Sequence, residues 1–144
     1  MLAGSMVSEV VARRRNAFNV ERRLVKLLSA NKENHVFRVP VSGVGESFPD
    51  VFMVNNVEDR IVAFEVKATS GKKVKVKSFQ VSKLYRFLEA FKKYSRREAV
   101  LAVWFSSEQK WVFKRVDGLF SEDIVVRSDE ASDWEPNVKM RRKA

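Results

Sequence analysis

Apolar residues bunch into short runs over the middle of the chain and recur at helical spacing over two flanking stretches. Val51–Val54 and Ile61–Val66 are rich in Val, Ile and Phe, as strands are. The polar Asn55-Asn56-Val57-Glu58-Asp59 between them suits a turn, so the pair predicts a β-hairpin. His35–Val39 predicts a strand ahead of it. Residues 7–30 predict a helix, with Phe18, Leu24, Val25 and Leu28 on one stripe. Further on, Lys73, Lys75 and Lys77 alternate with Val74 and Val76, which gives an extended segment one lysine face and one apolar face. Ser78 is the expected N-cap of a second helix over 79–94, with the stripe Val81, Leu84, Tyr85, Leu88 and Phe91. Ala99–Phe105 is apolar throughout, which predicts a central strand buried on both faces. Ser106–Gln109 turns into a strand at Lys110–Val116, and Ile124–Val126 adds a short last one. The order α-β-β-β-α-β-β predicts an α/β protein, a mixed central sheet flanked by helices. Its first three strands form an antiparallel meander, and helix 79–94 makes a crossover between parallel strands. One domain is expected over 7–127. Met1–Met6 is expected to be a cloning remnant, and the polar, charged residues 128–144 a disordered basic tail.

Composition narrows the chemistry. The 144 residues are 45% hydrophobic, enough for one core. They contain no apolar run long enough for a membrane helix and no secretory signal, so an intracellular, cytoplasmic protein is expected. No cysteine is present, which removes disulfides, thiolate zinc sites and cysteine nucleophiles. One histidine, His35, excludes a multi-histidine metal site within a chain. Any metal would have oxygen ligands, which favours Mg²⁺ or Mn²⁺. The net charge of +10 suggests a polyanionic partner, nucleic acid before an anionic membrane, against the plainer alternative of a basic protein without one.

The acids that could serve such a partner lie on the hairpin. Asp50 opens its first strand, and Glu65 and Lys67 sit late on the second, two residues apart and so on one face. Two carboxylates and a lysine converging there suit a divalent metal and a phosphodiester; the alternative is a plain ion network, which contributes little when buried. The Glu-x-Lys triplet alone carries no information, since Glu108-Gln109-Lys110 repeats it in a polar turn. What distinguishes Glu65-Val66-Lys67 is Asp50 across the hairpin and Glu21 upstream, an acid in the middle of an apolar helix stripe. Arg13, Arg14, Arg15, Arg22 and Arg23 on that helix are either a solvated face or phosphate contacts. Ser42, in the Gly/Ser-rich loop 40–47 that leads into Pro49-Asp50, could donate to a phosphate. Lys72, Lys73, Lys75 and Lys77 either protect an edge strand or track phosphates.

Pro49-Asp50 followed by Glu65-Val66-Lys67 resembles the signature of the PD-(D/E)xK nucleases, which have a restriction-endonuclease-like core. The wider order narrows this: Glu21–Leu28, Phe37–Gly43, Phe48–Phe52, Ala63–Thr69 and Gln80-Val81 together resemble the archaeal Holliday junction resolvases, over about residues 14–116. The resemblance implies a homodimer that cuts four-way junction DNA with Mg²⁺, or Mn²⁺ as a substitute, and takes no small-molecule substrate and no membrane. It implies that Glu21, Asp50, Glu65 and Lys67 form the active site, with Ser42 a loop serine associated with catalysis. Glu21, Asp50, Glu65 and the Val66 carbonyl would be metal ligands. Arg22, Arg38 and Gln80 match positions near the site, and Arg14, Arg15 and the lysines from Lys72 to Lys77 would add DNA contacts. Lys67 is expected to act electrostatically rather than as a base, because flanking carboxylates favour its charged form. Two alternatives stay open: another nuclease of the superfamily acting on duplex or damaged DNA, and a DNA-binding module that does not cut.

Overall fold

A computed structural model of the chain describes residues 15, 17–40, 48–117 and 122–137. Residues 17–28 form helix α1. The strands are β1 (Asn34–Arg38), β2 (Val51–Asn55), β3 (Arg60–Thr69), β4 (Lys73–Val76), β5 (Arg96–Phe105), β6 (Lys110–Val116) and β7 (Ile124–Arg127), with helix α2 (Ser78–Leu88) between β4 and β5. The main sheet has five strands in the order β1-β2-β3-β5-β6. Its first two pairings are antiparallel, β3 and β5 are parallel, and β5 and β6 are antiparallel. This is the mixed sheet expected from the sequence. α1 and α2 take its two faces. Leu24 and Leu28 pack with Val62, Phe64, Val100 and Ala102, while Val81, Leu84 and Leu88 pack with Ile61, Ala63, Leu101 and Val103. Alternation along each strand thus supplies both cores, and β5 is buried on both sides as its unbroken apolar run required.

Both hairpin turns end on a residue with a left-handed backbone, Asp59 (φ 55°) and Gln109 (φ 52°). Asp tolerates that region better than most residues because its short polar chain bonds locally. Here Asp59 Oδ2 accepts the Ser95 N–H at 3.2 Å, tying the turn to the start of β5.

The structure corrects several element bounds and one strand pairing: β3 runs on to Thr69 and β5 begins at Arg96. Ser78 is the first residue of α2, not its cap. Lys77 holds the cap position, and its N–H donates to Gln80 Oε1 at 3.2 Å. The helix also ends sooner than 94, passing into a 3₁₀ turn at Glu89–Phe91. The lysine strand β4 does not border the main sheet; it pairs with β7 in a separate two-stranded ribbon.

The largest correction concerns 128–144. Residues 128–137 are neither disordered nor basic: they carry Asp129, Glu130, Asp133 and Glu135 and no Lys or Arg, and they strap the outer strand β6. Ser132 Oγ and Asp133 Oδ1 accept the N–H groups of Phe113 (2.9 Å) and Arg115 (2.6 Å), and Asp133 N–H donates to Phe113 O (3.0 Å). Trp134 is 5% exposed; its ring meets Phe64 and Phe113 edge-on, and its indole N–H donates to Glu98 at 3.0 Å. Arg60 Nε donates to the same Glu98 oxygen at 3.0 Å. Burial opposes the charge of Glu98, but the Trp134 and Arg60 donors outweigh it and hold this carboxyl below its usual range. Residues 7–14 of the first predicted helix, and the loop 41–47, lie outside the described residues.

Candidate active site

The β2–β3 register sets Val51 opposite Phe64, so Asp50 falls beside Glu65 just where β2 begins. Asp50 N–H donates to Phe64 O at 3.1 Å, and Asp50 Oδ2 accepts the Val66 N–H at 2.9 Å. The aspartate thus replaces the strand partner that Val66 would otherwise need, and it is fixed against β3 at both ends. Glu65 is 3% exposed, inside a run of buried residues. Lys67 Nζ stands 3.8 Å from Glu65 Oε2, as side-chain alternation requires. A second lysine, Lys83 of α2, stands 3.5 Å from Oε1. Even so, Oε1 is buried and accepts no hydrogen bond.

Glu21 lies on the buried side of α1 between Val20 and Leu24, 8% exposed. Its Oε1 accepts from Arg38 Nη1 at 3.3 Å, and the Arg38 guanidinium stacks over Phe18 at 4.1 Å. Arg22 reaches the same ring at 5.4 Å. The three carboxyls feel one another. Burial, then the charge of Asp50, pushes Glu21 and Glu65 up to about 7, against the pull of Arg38 on the first and of Lys83 and Lys67 on the second. Burial also raises Asp50, opposed by the Val66 N–H and the two lysines.

Among the described residues, no three acidic or histidine side chains already converge as a finished metal cluster, because Glu21 is turned to Arg38. The donor set nevertheless fits a divalent cation. Asp50 and Glu65 are two hard oxygen donors on adjoining strands, and the buried Glu65 Oε1 faces a cation, the Lys83 ammonium, at 3.5 Å.

The remaining sequence candidates divide. Lys72, Lys73, Lys75 and Lys77 are exposed, with Lys72 3.5 Å from Glu108 in the turn that carries the uninformative triplet. Arg15 and Arg22 are exposed. The Gln80 oxygen is committed to the Lys77 N–H, so this residue shapes the start of α2. Arg14 and Ser42 lie outside the described residues. Lys83 was not found from the sequence: it sits at the edge of the α2 stripe, where a solvated lysine looks the same.

Fold and site together define an α/β protein with a nuclease-like core, its acids carried on paired strands. Comparison with known proteins makes this particular. The model of the archaeal Holliday junction resolvase (hjc) family matches residues 12–142, and the chain belongs to that family. The match includes the 128–137 strap, beyond the span of the motif resemblance. The chain is 34% identical over 127 residues to the crossover junction endodeoxyribonuclease Hje of Saccharolobus islandicus (strain REY15A), covering 88% of this chain and 89% of that protein. To the Hje of Saccharolobus solfataricus (strain P2) it is 32% identical over 126 residues, with 87% and 88% covered. The 1.6 Å resolution structure of Archaeoglobus fulgidus Hjc, a Holliday junction resolvase, superposes with a TM-score of 0.58 at 26% identity, covering 74% of this chain and 83% of that one.

Proposed function

We propose that this chain is a crossover-junction endodeoxyribonuclease, which resolves four-way DNA junctions by divalent-metal-dependent phosphodiester hydrolysis. The observation that carries the reading is the Asp50–Glu65 pair, two carboxylates on adjoining strands, Glu65 buried and Asp50 half-buried, with two lysines within 4 Å of Glu65. Asp50, Glu65 and the Val66 carbonyl, with Glu21, would hold Mg²⁺, or Mn²⁺ in its place. The ion when bound supplies positive charge at the phosphate and lowers the pKa of water. Water attacks phosphorus and the bond to the 3′-oxygen breaks, leaving a 5′-phosphate and a 3′-hydroxyl. Lys67 and Lys83, both within 4 Å of Glu65, place fixed positive charge where the phosphate gains negative charge. Ser42 would donate to a phosphate oxygen from the overhanging loop. Arg14, Arg15, Arg22, Arg38 and the lysines of β4 would hold the flanking phosphates, so selectivity would follow junction shape rather than base sequence.

One chain carries one acid site, whereas a four-way junction calls for two cuts related by symmetry. A two-fold homodimer matches that geometry. The surface suited to it is a run of rings on the α2 side of the sheet edge. Phe37 stacks on Phe52, Phe52 meets Phe87, and Phe87 meets Phe91 and Phe48. Phe37 and Phe48 are 48% and 47% exposed.

Labelled four-way junctions and matched duplex, each with Mg²⁺ and with EDTA, test the reading. Paired nicks in the junction alone, lost in Asp50→Ala while junction binding persists, are expected. Equal cutting of duplex would remove junction selectivity, and no cutting with any metal would leave a binding module.

A further inference from the structure

A cavity of about 420 Å³ opens at the carboxyl ends of the parallel strands β3 and β5, under the exposed flank of α1. Its size falls within the roughly 300–1,000 Å³ of ligand pockets, and the carboxyl ends of parallel strands are where open α/β sheets bind ligands. Its walls are of two kinds. Trp104 gives a broad aromatic surface, half-buried, with the Arg23 guanidinium 4.3 Å above its ring. Asn19, Thr69, Ser70 and Ser106 give amide and hydroxyl groups. The Trp104 ring is flanked by Trp111 across the β5–β6 pair (5.3 Å), and Trp111 stacks on Phe113 at 5.5 Å. Trp104 is thus braced by its aromatic neighbours, while Arg23 is exposed and lies over its ring.

We infer that this cavity takes one unpaired nucleotide of a DNA strand, its base against Trp104 and its phosphate on Arg23 and the Thr69 and Ser70 hydroxyls. An aromatic face beside a guanidinium is how proteins bind single strands without sequence preference, since every base has a π-face and every nucleotide a phosphate. The position fits a strand leaving the acid site. Thr69 lies four residues beyond Glu65 on β3, about 13 Å along the strand. On α1, Asn19 and Arg23 stand one turn apart, on the flank away from Glu21. Packing alone does not account for the arrangement, because it leaves a ligand-sized hollow of mixed polarity in front of a partly exposed tryptophan. The inference rests on the nuclease reading and adds to it a subsite for a base unstacked at the branch point.

The test uses the full chain in EDTA, so that binding is read without cutting. A single-stranded oligo-dT is titrated while tryptophan fluorescence is followed, and matched duplex binding is measured by anisotropy. Arg23→Ala removes the guanidinium. Ser70→Glu, at an exposed rim position, sets a negative charge against the phosphate and spares the core. Each is expected to weaken oligo-dT binding by about tenfold or more, the value of one stacked base or charged contact, and to change duplex binding less than twofold. Trp104→Phe, which keeps a ring, is expected to retain most of the affinity and lose most of the fluorescence change. Equal weakening for duplex and oligo-dT, or undiminished oligo-dT binding in both variants, would overturn the inference. Junction cutting by the unaltered chain in Mg²⁺, measured alongside, separates the two readings: if it cuts while the variants bind oligo-dT normally, only the subsite fails.

Discussion

At the scale of single residues, the site is a set of acids held close together and out of water. Glu21 and Glu65 have an ordinary value of 4.5 and stand near 7 in the fold, so between those pH values the folded chain binds more protons than the unfolded chain. Stability contributed by their protonated forms is therefore full below pH 4.5 and is lost as pH rises through 7. For the two together the loss is on the order of a few kcal/mol. Urea denaturation in EDTA across that range should show the fall, Glu21→Gln with Glu65→Gln should flatten it, and Mg²⁺ at pH 7.5 should restore stability. Lys83 enters the same balance. Its ammonium, 3.5 Å from Glu65 Oε1, occupies the surroundings a metal needs. Lys83→Met should tighten Mn²⁺ binding in the absence of DNA by up to about fivefold, the worth of a partly exposed ion pair, as read by calorimetry. Unchanged or weaker Mn²⁺ binding would mean that Lys83 does not compete with the metal.

At the scale of elements, legibility followed the kind of force at work. Strands β2, β3 and β5 were visible because burial on one or both faces writes itself as apolar runs. Asp50 and Glu65 were visible because they interrupt such runs, and Glu21 because it breaks a helical stripe. The 128–137 strap was not visible, since it is held by hydrogen bonds from Ser132 and Asp133 to the outer edge of β6 and by one apolar anchor, Trp134. Side-chain oxygens that satisfy an edge strand look like any polar loop, and a lone tryptophan makes no period. The cap of α2 was misplaced for a related reason: Gln80 bonds back to Lys77 N–H, which lets a residue with no capping side-chain oxygen stand at that position. The strap carries a prediction of its own. Trp134→Ala empties a buried site between Phe64 and Phe113 and removes a donor from Glu98, whose carboxylate stays buried beside Arg60. It should destabilise the fold by about 3–5 kcal/mol in urea. Trp134→Phe, which refills most of the space but not the donor, should recover part of that.

At the scale of the whole molecule, one question is how a chain with one acid site makes two cuts. The aromatic run from Phe37 to Phe91 lies beside β1, the outer strand of the sheet, and leaves two rings about half exposed. A basic protein that keeps such rings in water forgoes burial worth roughly 25 cal/mol per Å² of apolar area, and a second copy would recover it. In a two-fold interface each residue occurs twice, so one charge introduced there meets the partner's rings from both sides. Phe37→Glu should therefore shift the chain to monomer in sedimentation equilibrium, while the acid site, on other side chains, keeps its hydrolytic chemistry. The consequence shows in the products from a plasmid carrying an extruded cruciform. A dimer that completes both cuts before release gives linear DNA. A monomer gives nicked circles, because the first cut lets the cruciform collapse before a second enzyme arrives. Linear product from Phe37→Glu at concentrations where it is monomeric would mean that paired cutting does not need the dimer. A Phe37→Glu chain that stays dimeric would move the interface away from these rings.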